Sequence, residues 1–244
     1  MSTSTGGSSE RSAPRQGMAR AQLLAAGLAV VPLYSTLILL ELVSGRPLSL
    51  RSFVVYLAVI APLSMVIAWL SLRFLCGEGF RGLNLRPGRP YSDLLSALAL
   101  SLATLVAGVV STALLLALLP AAASDTSVRD LFRGLAGNPG LLTLFLVLLL
   151  PLGAASEELI RVLLLSRLWN VWPSTSAKGL AVAVSAVLFG FLHLYHGTAA
   201  IIWTALYGLV MGLYYLRFGR VVPMILSHYL TNALQVVAVA VLAR

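Results

Sequence analysis

The amino-acid sequence predicts an all-α, polytopic transmembrane helix bundle. The chain has 244 residues, of which 59% are hydrophobic and 10% are charged, whereas about a quarter of the residues of a soluble domain are charged. Long apolar runs, each of about the 20 residues that cross a bilayer, follow one another along the chain. We therefore expect an integral, multi-pass membrane protein that is embedded in the lipid bilayer.

Seven apolar runs are long enough to span a membrane. They are residues 21–43, 52–75, 93–120, 140–168, 177–195, 198–216 and 221–242. An eighth span, or a re-entrant hairpin around Gly197, remains an alternative. Residues 1–18 are rich in Ser and Gly and predict a disordered cytoplasmic tail, so the integral membrane domain is expected to cover residues 19–244.

The loop charges predict the orientation of the bundle. With the N-terminus in the cytoplasm, eleven Lys and Arg residues fall in inner segments and five in outer segments. Cytoplasmic loops of membrane proteins carry such an excess of positive charge. The Lys and Arg residues of these loops also account for the net charge of +9. Because the basic residues are scattered singly through short loops, we expect no nucleic-acid partner.

Two loops are predicted to contribute local structure. Ser127 and Asp130 have the spacing of a capping box. The apolar residues around them follow a helical pattern and predict a short helix in the outer interface: Val128, Leu131, Phe132 and Leu135. In the inner loop before the third run, Ser92 and Asp93 are good candidates for its N-cap.

The sixth apolar run carries small residues at the spacing of a helix-packing motif. Gly208 and Gly212 form GxxxG, a pattern that lets two membrane helices approach closely. We expect this run to pack tightly against a neighbouring helix and assign the two glycines no chemical role.

Ionisable residues of the predicted membrane interior are concentrated in the C-terminal half. The stretch GAASEELIRVLLL places Glu157, Glu158 and Arg161 close together, and one such side chain at the bilayer centre costs about 2.5–3.5 kcal/mol. Glu157 and Arg161 lie on one helix face at i,i+4 spacing and are expected to pair. For these residues taken alone, a neutralised ion pair without function is the alternative.

The three histidines of the chain all fall in the last three apolar runs. Phe189 and His193 are one helical turn apart, and so are His228 and Asn232. Each pair taken alone could be a hydrogen-bonding contact between helices, and His196 is expected to be interfacial. It is less plausible that three separate helices each bury polar groups independently than that these groups form one shared site.

The chemistry of these side chains suits water activation. A carboxylate and a neutral imidazole in a dry cavity can activate water for attack on a carbonyl, and a second imidazole with a side-chain amide can stabilise the oxyanion. Alternatively, Glu157, His193 and His228 could ligate a zinc ion with one position open for water. The chain has no HExxH and no GxSxG motif, which argues against zincin-like and serine-nucleophile sites. Residues alone leave the metal-free and metal-dependent alternatives open.

The order of these motifs resembles the CPBP (Abi, CAAX-protease-type) family of intramembrane proteases. That order is Glu-Glu with Arg, then Phe-x-x-x-His, then His-x-x-x-Asn on successive hydrophobic helices, and the similarity covers about residues 140–240. The prenyl-protein protease that removes the last three residues after a prenylated cysteine belongs to this family. The resemblance implies an endopeptidase that cleaves near the C-terminal or membrane-proximal part of a membrane-associated or lipidated substrate.

The same resemblance implies roles for the candidate residues. One glutamate with His193 would activate water, and His228 with Asn232 would hold the oxyanion. Arg161 would orient and neutralise the glutamate pair. Family members have been argued to be metal-dependent as well as glutamate-based, so the resemblance leaves the metal open.

The first motif departs from the family pattern. The family usually shows Glu-Glu-x-x-x-Arg, whereas this sequence is one residue shorter. Alignment on Arg161 places Ser156 where the catalytic glutamate is expected, whereas alignment on the glutamates makes Glu157 catalytic. The sequence therefore leaves Glu157 and Glu158 both open as the base.

Two functions of other classes fit the same residues. A catalytically silent membrane scaffold or immunity protein could share the fold. A proton-coupled transporter could use the buried carboxylates and imidazoles as a relay, although the chain lacks the internal repeat that transporters often show.

Overall fold

The described part of the chain contains seven helices of membrane-spanning length and hydropathy. The computed structural model describes residues 13–44, 48–83, 88–118 and 127–242, and these ranges contain helices and no strand. The spans are α1 (Ala13–Ser44), α2 (Leu50–Leu75), α3 (Pro90–Leu118), α5 (Pro139–Val171), α6 (Thr175–Leu192), α7 (Thr198–Phe218) and α8 (Val222–Leu242). A shorter helix, α4 (Ser127–Ala136), precedes α5. The predicted all-α bundle with seven spans is confirmed.

The N-terminal boundary differs from the prediction. Residues 1–12 of the predicted tail lie outside the described ranges, whereas residues 13–18 belong to α1 instead of a tail. Residues 14–20, PRQGMAR, contain Arg, Gln, Met and Ala, which are good helix formers. The helix therefore starts before the apolar run does.

The helices α2 and α5 each widen into a π-helical turn just before a proline. These turns are Tyr56–Ile60 and Phe145–Leu149, and Pro62 and Pro151 follow them. A proline in a helix lacks the amide hydrogen and clashes with the carbonyl four residues earlier. In both spans the carbonyl that would clash lies within the π-turn, where the wider turn gives the proline ring room. Both spans therefore continue as helices through their prolines.

The predicted N-cap of α3 is wrong. The helix begins at Pro90, so Ser92 and Asp93 lie in its first turn, because proline is well suited to the first helical position. Asp93 is only 2% exposed; it accepts a hydrogen bond of 2.7 Å from the Gly88 amide and forms an ion pair with Arg220. Since Arg220 lies between α7 and α8, the carboxylate ties the start of α3 to that turn.

A second ion pair also joins the N-terminal half of the chain to its C-terminal half. Arg167 of α5 donates to Glu78, in the connection between α2 and α3, with 2.9 Å between Nη1 and Oε2. Arg167 is buried, whereas the Glu78 side chain is 40% exposed. The connection between α2 and α3 is thereby anchored to the helix that carries the glutamates.

The predicted short helix is present as α4. Phe132 and Leu135 are buried, and the Phe132 ring packs against Phe53 and Phe145 with centroids 6.0 and 5.8 Å away. The other predicted residues have side chains outside the described part of the structure, so the capping box stays a prediction: Ser127, Val128, Asp130 and Leu131. The helix covers one end of the bundle through its aromatic face.

The GxxxG glycines pack α7 against α6, as predicted. A Cβ at Gly208 would lie 3.1 Å from Cα of Ala186, and a Cβ at Gly212 would lie 2.7 Å from Cγ1 of Val182. Gly190 of α6 meets the backbone of α7, since its Cβ would lie 2.7 Å from the carbonyl oxygen of Ile201. Small residues on both helices therefore allow the close contact.

We expect Gly190→Ala to lower the free energy of unfolding in detergent by about 1–3 kcal/mol, because the added methyl group overpacks the α6–α7 contact. Gly179→Ala is the matched control on the same helix, since no atom lies within 4 Å of a Cβ there. Thermal unfolding of the two purified variants is the measurement. Equal melting temperatures would contradict the close contact.

Candidate active site

A fully buried ion pair lies at the centre of α5. Glu158 and Arg161 have no exposed surface, and Arg161 Nε lies 3.0 Å from Glu158 Oε2. Arg161 therefore pairs with the glutamate three residues earlier, and the predicted Glu157–Arg161 pair is wrong. Both spacings bring side chains together on a helix, and the choice follows from the environment of the guanidinium.

The Arg161 guanidinium is held between an aromatic ring and a glycine. Its Cζ lies 3.8 Å from the centroid of the Phe189 ring on α6. On the α7 side, a Cβ at Gly208 would lie 2.7 Å from Arg161 Nη1. Gly208 thus leaves room for the cation as well as for helix packing, and cation–π attraction adds to the ion pair.

His228 joins α8 to both glutamates. Its Nδ1 lies 2.8 Å from Glu158 Oε1, and its Nε2 lies 3.6 Å from Glu157 Oε2. Its ring also packs against Tyr207, with centroids 5.2 Å apart. One imidazole therefore contacts two adjacent carboxylates on another helix, as the sequence predicted for a shared site.

His193 directly follows α6, which ends at Leu192, so the predicted span 177–195 is too long by one turn. The expected one-turn relation to Phe189 is confirmed, because His193 Nδ1 lies 2.9 Å from the Phe189 carbonyl oxygen. A carbonyl oxygen can only accept, so Nδ1 carries the hydrogen. In the neutral ring, Nε2 is then the nitrogen that accepts.

A cavity of about 270 Å³ brings most of the predicted residues together. Its walls come mainly from α5, α7 and α8. Four of the predicted site residues line it: Glu157, His193, His228 and Asn232. Glu158 and Arg161 do not line the cavity and lie buried behind its wall. The two glutamates therefore have different environments although they are neighbours in sequence.

The cavity distinguishes the two alignments of the first motif. Ser156 is completely buried, its hydroxyl donates to the Leu152 carbonyl at 2.7 Å, and it does not line the cavity. Glu157 does line it. The geometry therefore fits the alignment on the glutamates, in which Glu157 occupies the first position.

Two groups of cavity residues are not among the residues predicted from the sequence. On α8, Thr231 and Gln235 extend the polar face of His228, and their spacing of three and seven residues was a usable signal. The second group comes from the segment before residue 139, and its residues are not ionisable: Phe53, Leu57, Thr112 and Phe132. Only tertiary packing brings this second group to the cavity.

The predicted zinc set does not fit this geometry. No three His, Cys, Asp or Glu side chains in the described ranges are grouped closely enough to hold a metal ion. The side chain of His196 lies outside the described part. In the described part of the structure, Glu157, His193 and His228 therefore do not form a metal site.

Arg161→Met should lower the free energy of unfolding by about 3 kcal/mol, because it leaves the Glu158 carboxylate buried without its countercharge. The double variant Arg161→Met/Glu158→Gln should be more stable than the single variant, since it removes that unpaired charge. Thermal unfolding in detergent compares the two. A double variant that is less stable than Arg161→Met would contradict this account of the pair.

The segment that carries these residues is similar to a known protein family. Residues 139–234 match the family model described as Type II CAAX prenyl endopeptidase Rce1-like. The matched segment starts with α5, ends within α8 and contains every predicted site residue. Searches of the curated proteins and of the solved structures gave no match. Residues 139–234 are thus similar to the CAAX proteases, the family that the order of the sequence motifs resembles.

Proposed function

We propose that the protein is an intramembrane endopeptidase that hydrolyses a peptide bond with water activated by Glu157 and His193. Its substrate is a membrane-associated or lipidated protein, cleaved near its C-terminal or membrane-proximal part. The observation that supports this most directly is one cavity in a membrane helix bundle lined by Glu157, His193, His228 and Asn232. The family of the matched segment agrees with this chemistry.

In the proposed reaction, Glu157 is the general base. It takes a proton from water while the water oxygen forms a bond to the carbonyl carbon. His193 holds the same water through its accepting nitrogen, because Nδ1 is bonded to the Phe189 carbonyl. When the tetrahedral intermediate collapses, the carbon–nitrogen bond breaks and the protonated Glu157 gives its proton to the leaving amine.

His228 and Asn232 are the proposed oxyanion donors. Both line the cavity, and they lie one helical turn apart on α8. In its doubly protonated form, His228 donates to Glu158 through Nδ1 and offers its second N–H to the oxyanion. This form also balances the charge of the second carboxylate. Loss of one such donor typically costs about 3 kcal/mol of transition-state stabilisation.

Glu158 and Arg161 are positioning residues in this proposal. Their ion pair is withdrawn from the cavity, so neither side chain reaches the substrate. Glu158 instead orients the His228 ring through the 2.8 Å contact with Nδ1. A carboxylate bonded to one imidazole nitrogen directs the other nitrogen toward the reaction.

Substitution of the cavity residues tests the proposal on cleavage of a lipidated peptide in detergent. Glu157→Gln and His193→Ala should lower kcat/KM at least about 100-fold, because they remove the base and its partner. His228→Ala and Asn232→Ala should do the same through the oxyanion. Glu158→Gln should have a smaller effect, and Ser156→Ala is the matched control that should cleave like the wild type.

Undiminished cleavage by Glu157→Gln, or loss of cleavage in a folded Ser156→Ala, would contradict the assigned base. A wild type that cleaves no lipidated or membrane peptide would favour the silent scaffold. Transport driven by a pH gradient would favour the transporter. Each reaction is repeated with a chelator, and restoration by added zinc would support a metal-dependent reaction.

The loop charges predict which membrane face the cavity approaches. The cavity lies toward the end of the bundle that carries α4 and the start of α7, since Phe132 and Ala199 line it. With the N-terminus in the cytoplasm, this end is the outer one. We therefore propose that the substrate segment enters from the outer side.

Cysteine labelling in intact cells tests this orientation. In a Cys76→Ser background, Gly137→Cys should react with a membrane-impermeant maleimide from outside. Thr175→Cys, at the start of α6 and also exposed, lies at the opposite end of the bundle and should react only after lysis. The reverse pattern of labelling would place the cavity end of the bundle in the cytoplasm.

A further inference from the structure

Of the four cavity residues with proposed roles in the reaction, His193 is the one that lies outside an α-helix. Glu157 lies within α5, and His228 and Asn232 lie within α8. His193 follows the end of α6 and leads into the short turn Leu194–His196 before α7. Side chains on regular helices are held more precisely than side chains on connecting turns. The position of the His193 ring therefore depends strongly on the groups that pack against it.

One hydrogen bond holds one edge of the His193 imidazole. Nδ1 donates to the Phe189 carbonyl oxygen at 2.9 Å. The torsion between Cβ and a planar ring is broad, so a ring bonded through one atom can still tilt. A tilt moves Nε2, the nitrogen that is proposed to hold the attacking water. A second contact is therefore needed to fix the plane of the ring.

Two aromatic rings pack against this imidazole. The centroid of the Phe189 ring lies 4.6 Å away at an interplanar angle of 56°. The centroid of the Tyr195 ring lies 5.9 Å away at an interplanar angle of 23°. The Tyr195 ring is thus nearly parallel to the imidazole, at a distance typical of stacked aromatic pairs. It provides the contact that opposes a change in the plane of the His193 ring.

The Tyr195 ring is itself held by aromatic side chains of other helices. Its centroid lies 5.8 Å from that of Phe53 on α2. Phe53 packs in turn against Phe132 of α4 and Phe145 of α5, with centroids 6.0 and 5.9 Å away. Tyr195 and Phe53 are each only 7% exposed, and closely packed buried rings have little room to move. These contacts connect His193 to α2, α4 and α5.

We propose that Tyr195 is a positioning residue for His193, and that Phe53 acts on the same imidazole through Tyr195. The stack fixes the plane of the imidazole, and the Phe189 carbonyl fixes Nδ1. Together they direct Nε2 toward the water beside Glu157. The role of the stack in catalysis rests on the proposed peptidase function, whereas the orientation of the imidazole can be measured without cleavage.

The test compares Tyr195→Leu, which removes the ring, with Tyr195→Phe, which keeps it. On a lipidated peptide in detergent, Tyr195→Leu should lower kcat about tenfold with a smaller change in KM, because a displaced group loses its catalytic geometry. Tyr195→Phe should keep most of the wild-type kcat. A change in KM alone would make Tyr195 only a wall of the cavity and would overturn the proposal. Equal losses of kcat in the two variants would overturn it as well.

Tyr215→Leu is the matched control. Tyr215 is also a tyrosine in a stacked pair, with its ring centroid 5.5 Å from that of Trp169, and it is 6% exposed. It follows Tyr207 by eight residues, which is about 12 Å along α7. Its substitution should lower the melting temperature, as Tyr195→Leu does, but should leave kcat unchanged. A similar loss of kcat in Tyr215→Leu would reduce the effect at Tyr195 to general destabilisation and would overturn the proposal.

A double-variant cycle tests the connection through Phe53. Phe53→Leu should lower kcat less than Tyr195→Leu does, because the tyrosine ring remains beside the imidazole. The double variant Phe53→Leu/Tyr195→Leu should have about the kcat of Tyr195→Leu alone, since both changes act through one stack. Independent effects that multiply in the double variant would overturn the role of Phe53.

Nuclear magnetic resonance of the three histidines provides a measurement that needs no substrate. In protein labelled with ¹⁵N-histidine, the His193 signals are assigned by their loss in His193→Ala. At a pH where the ring is neutral, the Nδ1–H tautomer should dominate in the wild type, in Tyr195→Phe and in Tyr215→Leu. Its fraction should fall in Tyr195→Leu, because a tilted ring loses the bond to the Phe189 carbonyl.

The two measurements separate the positioning role from the proposed function. If the wild type cleaves no peptide while Tyr195→Leu alone shifts the tautomer ratio, the positioning of His193 stands and the peptidase function fails. If the wild type cleaves its peptide and Tyr195→Leu changes neither kcat nor the tautomer ratio, the function stands and the positioning role fails.

Discussion

The buried ion pair between Glu158 and Arg161 is the interaction on which the candidate site depends. Both side chains lie inside a membrane-spanning helix without solvent contact, where an isolated charge would be costly. Arg161 Nε lies 3.0 Å from Glu158 Oε2. The other oxygen, Oε1, accepts from Arg161 Nη2 at 3.3 Å and lies 2.8 Å from His228 Nδ1. The pair thus stabilises the arginine and fixes the orientation of an imidazole on another helix.

This arrangement separates the functions of two adjacent glutamates. Neighbouring residues on a helix point about 100° apart, so Glu158 is directed toward the ion pair and Glu157 toward the cavity. Arg161 is paired with Glu158, so among the described residues Glu157 has no basic group at ion-pair distance other than the imidazole of His228. A carboxylate in that environment is suited to take up a proton, which is the role we propose for it.

The two halves of the chain contribute differently to the molecule. Residues 139–234, which match the family, supply the ionisable side chains. The segment before residue 139 supplies aromatic and aliphatic walls through α2 and α4. It is attached by the ion pairs of Asp93 with Arg220 and of Glu78 with Arg167. The shape of the substrate space therefore depends on residues outside the matched segment, and these can vary without a change in the chemistry.

The sequence by itself determined the helical class, the seven spans and the identity of the ionisable residues, because hydropathy and the cost of buried charge act locally along the chain. Tertiary structure alone decided which carboxylate faces the cavity. The i,i+3 and i,i+4 partners of Arg161 are equivalent on an isolated helix, and the choice between them follows from Phe189 and Gly208 on neighbouring helices. The same holds for Asp93, which has the local signature of an N-cap but binds Arg220, a residue far away in the sequence.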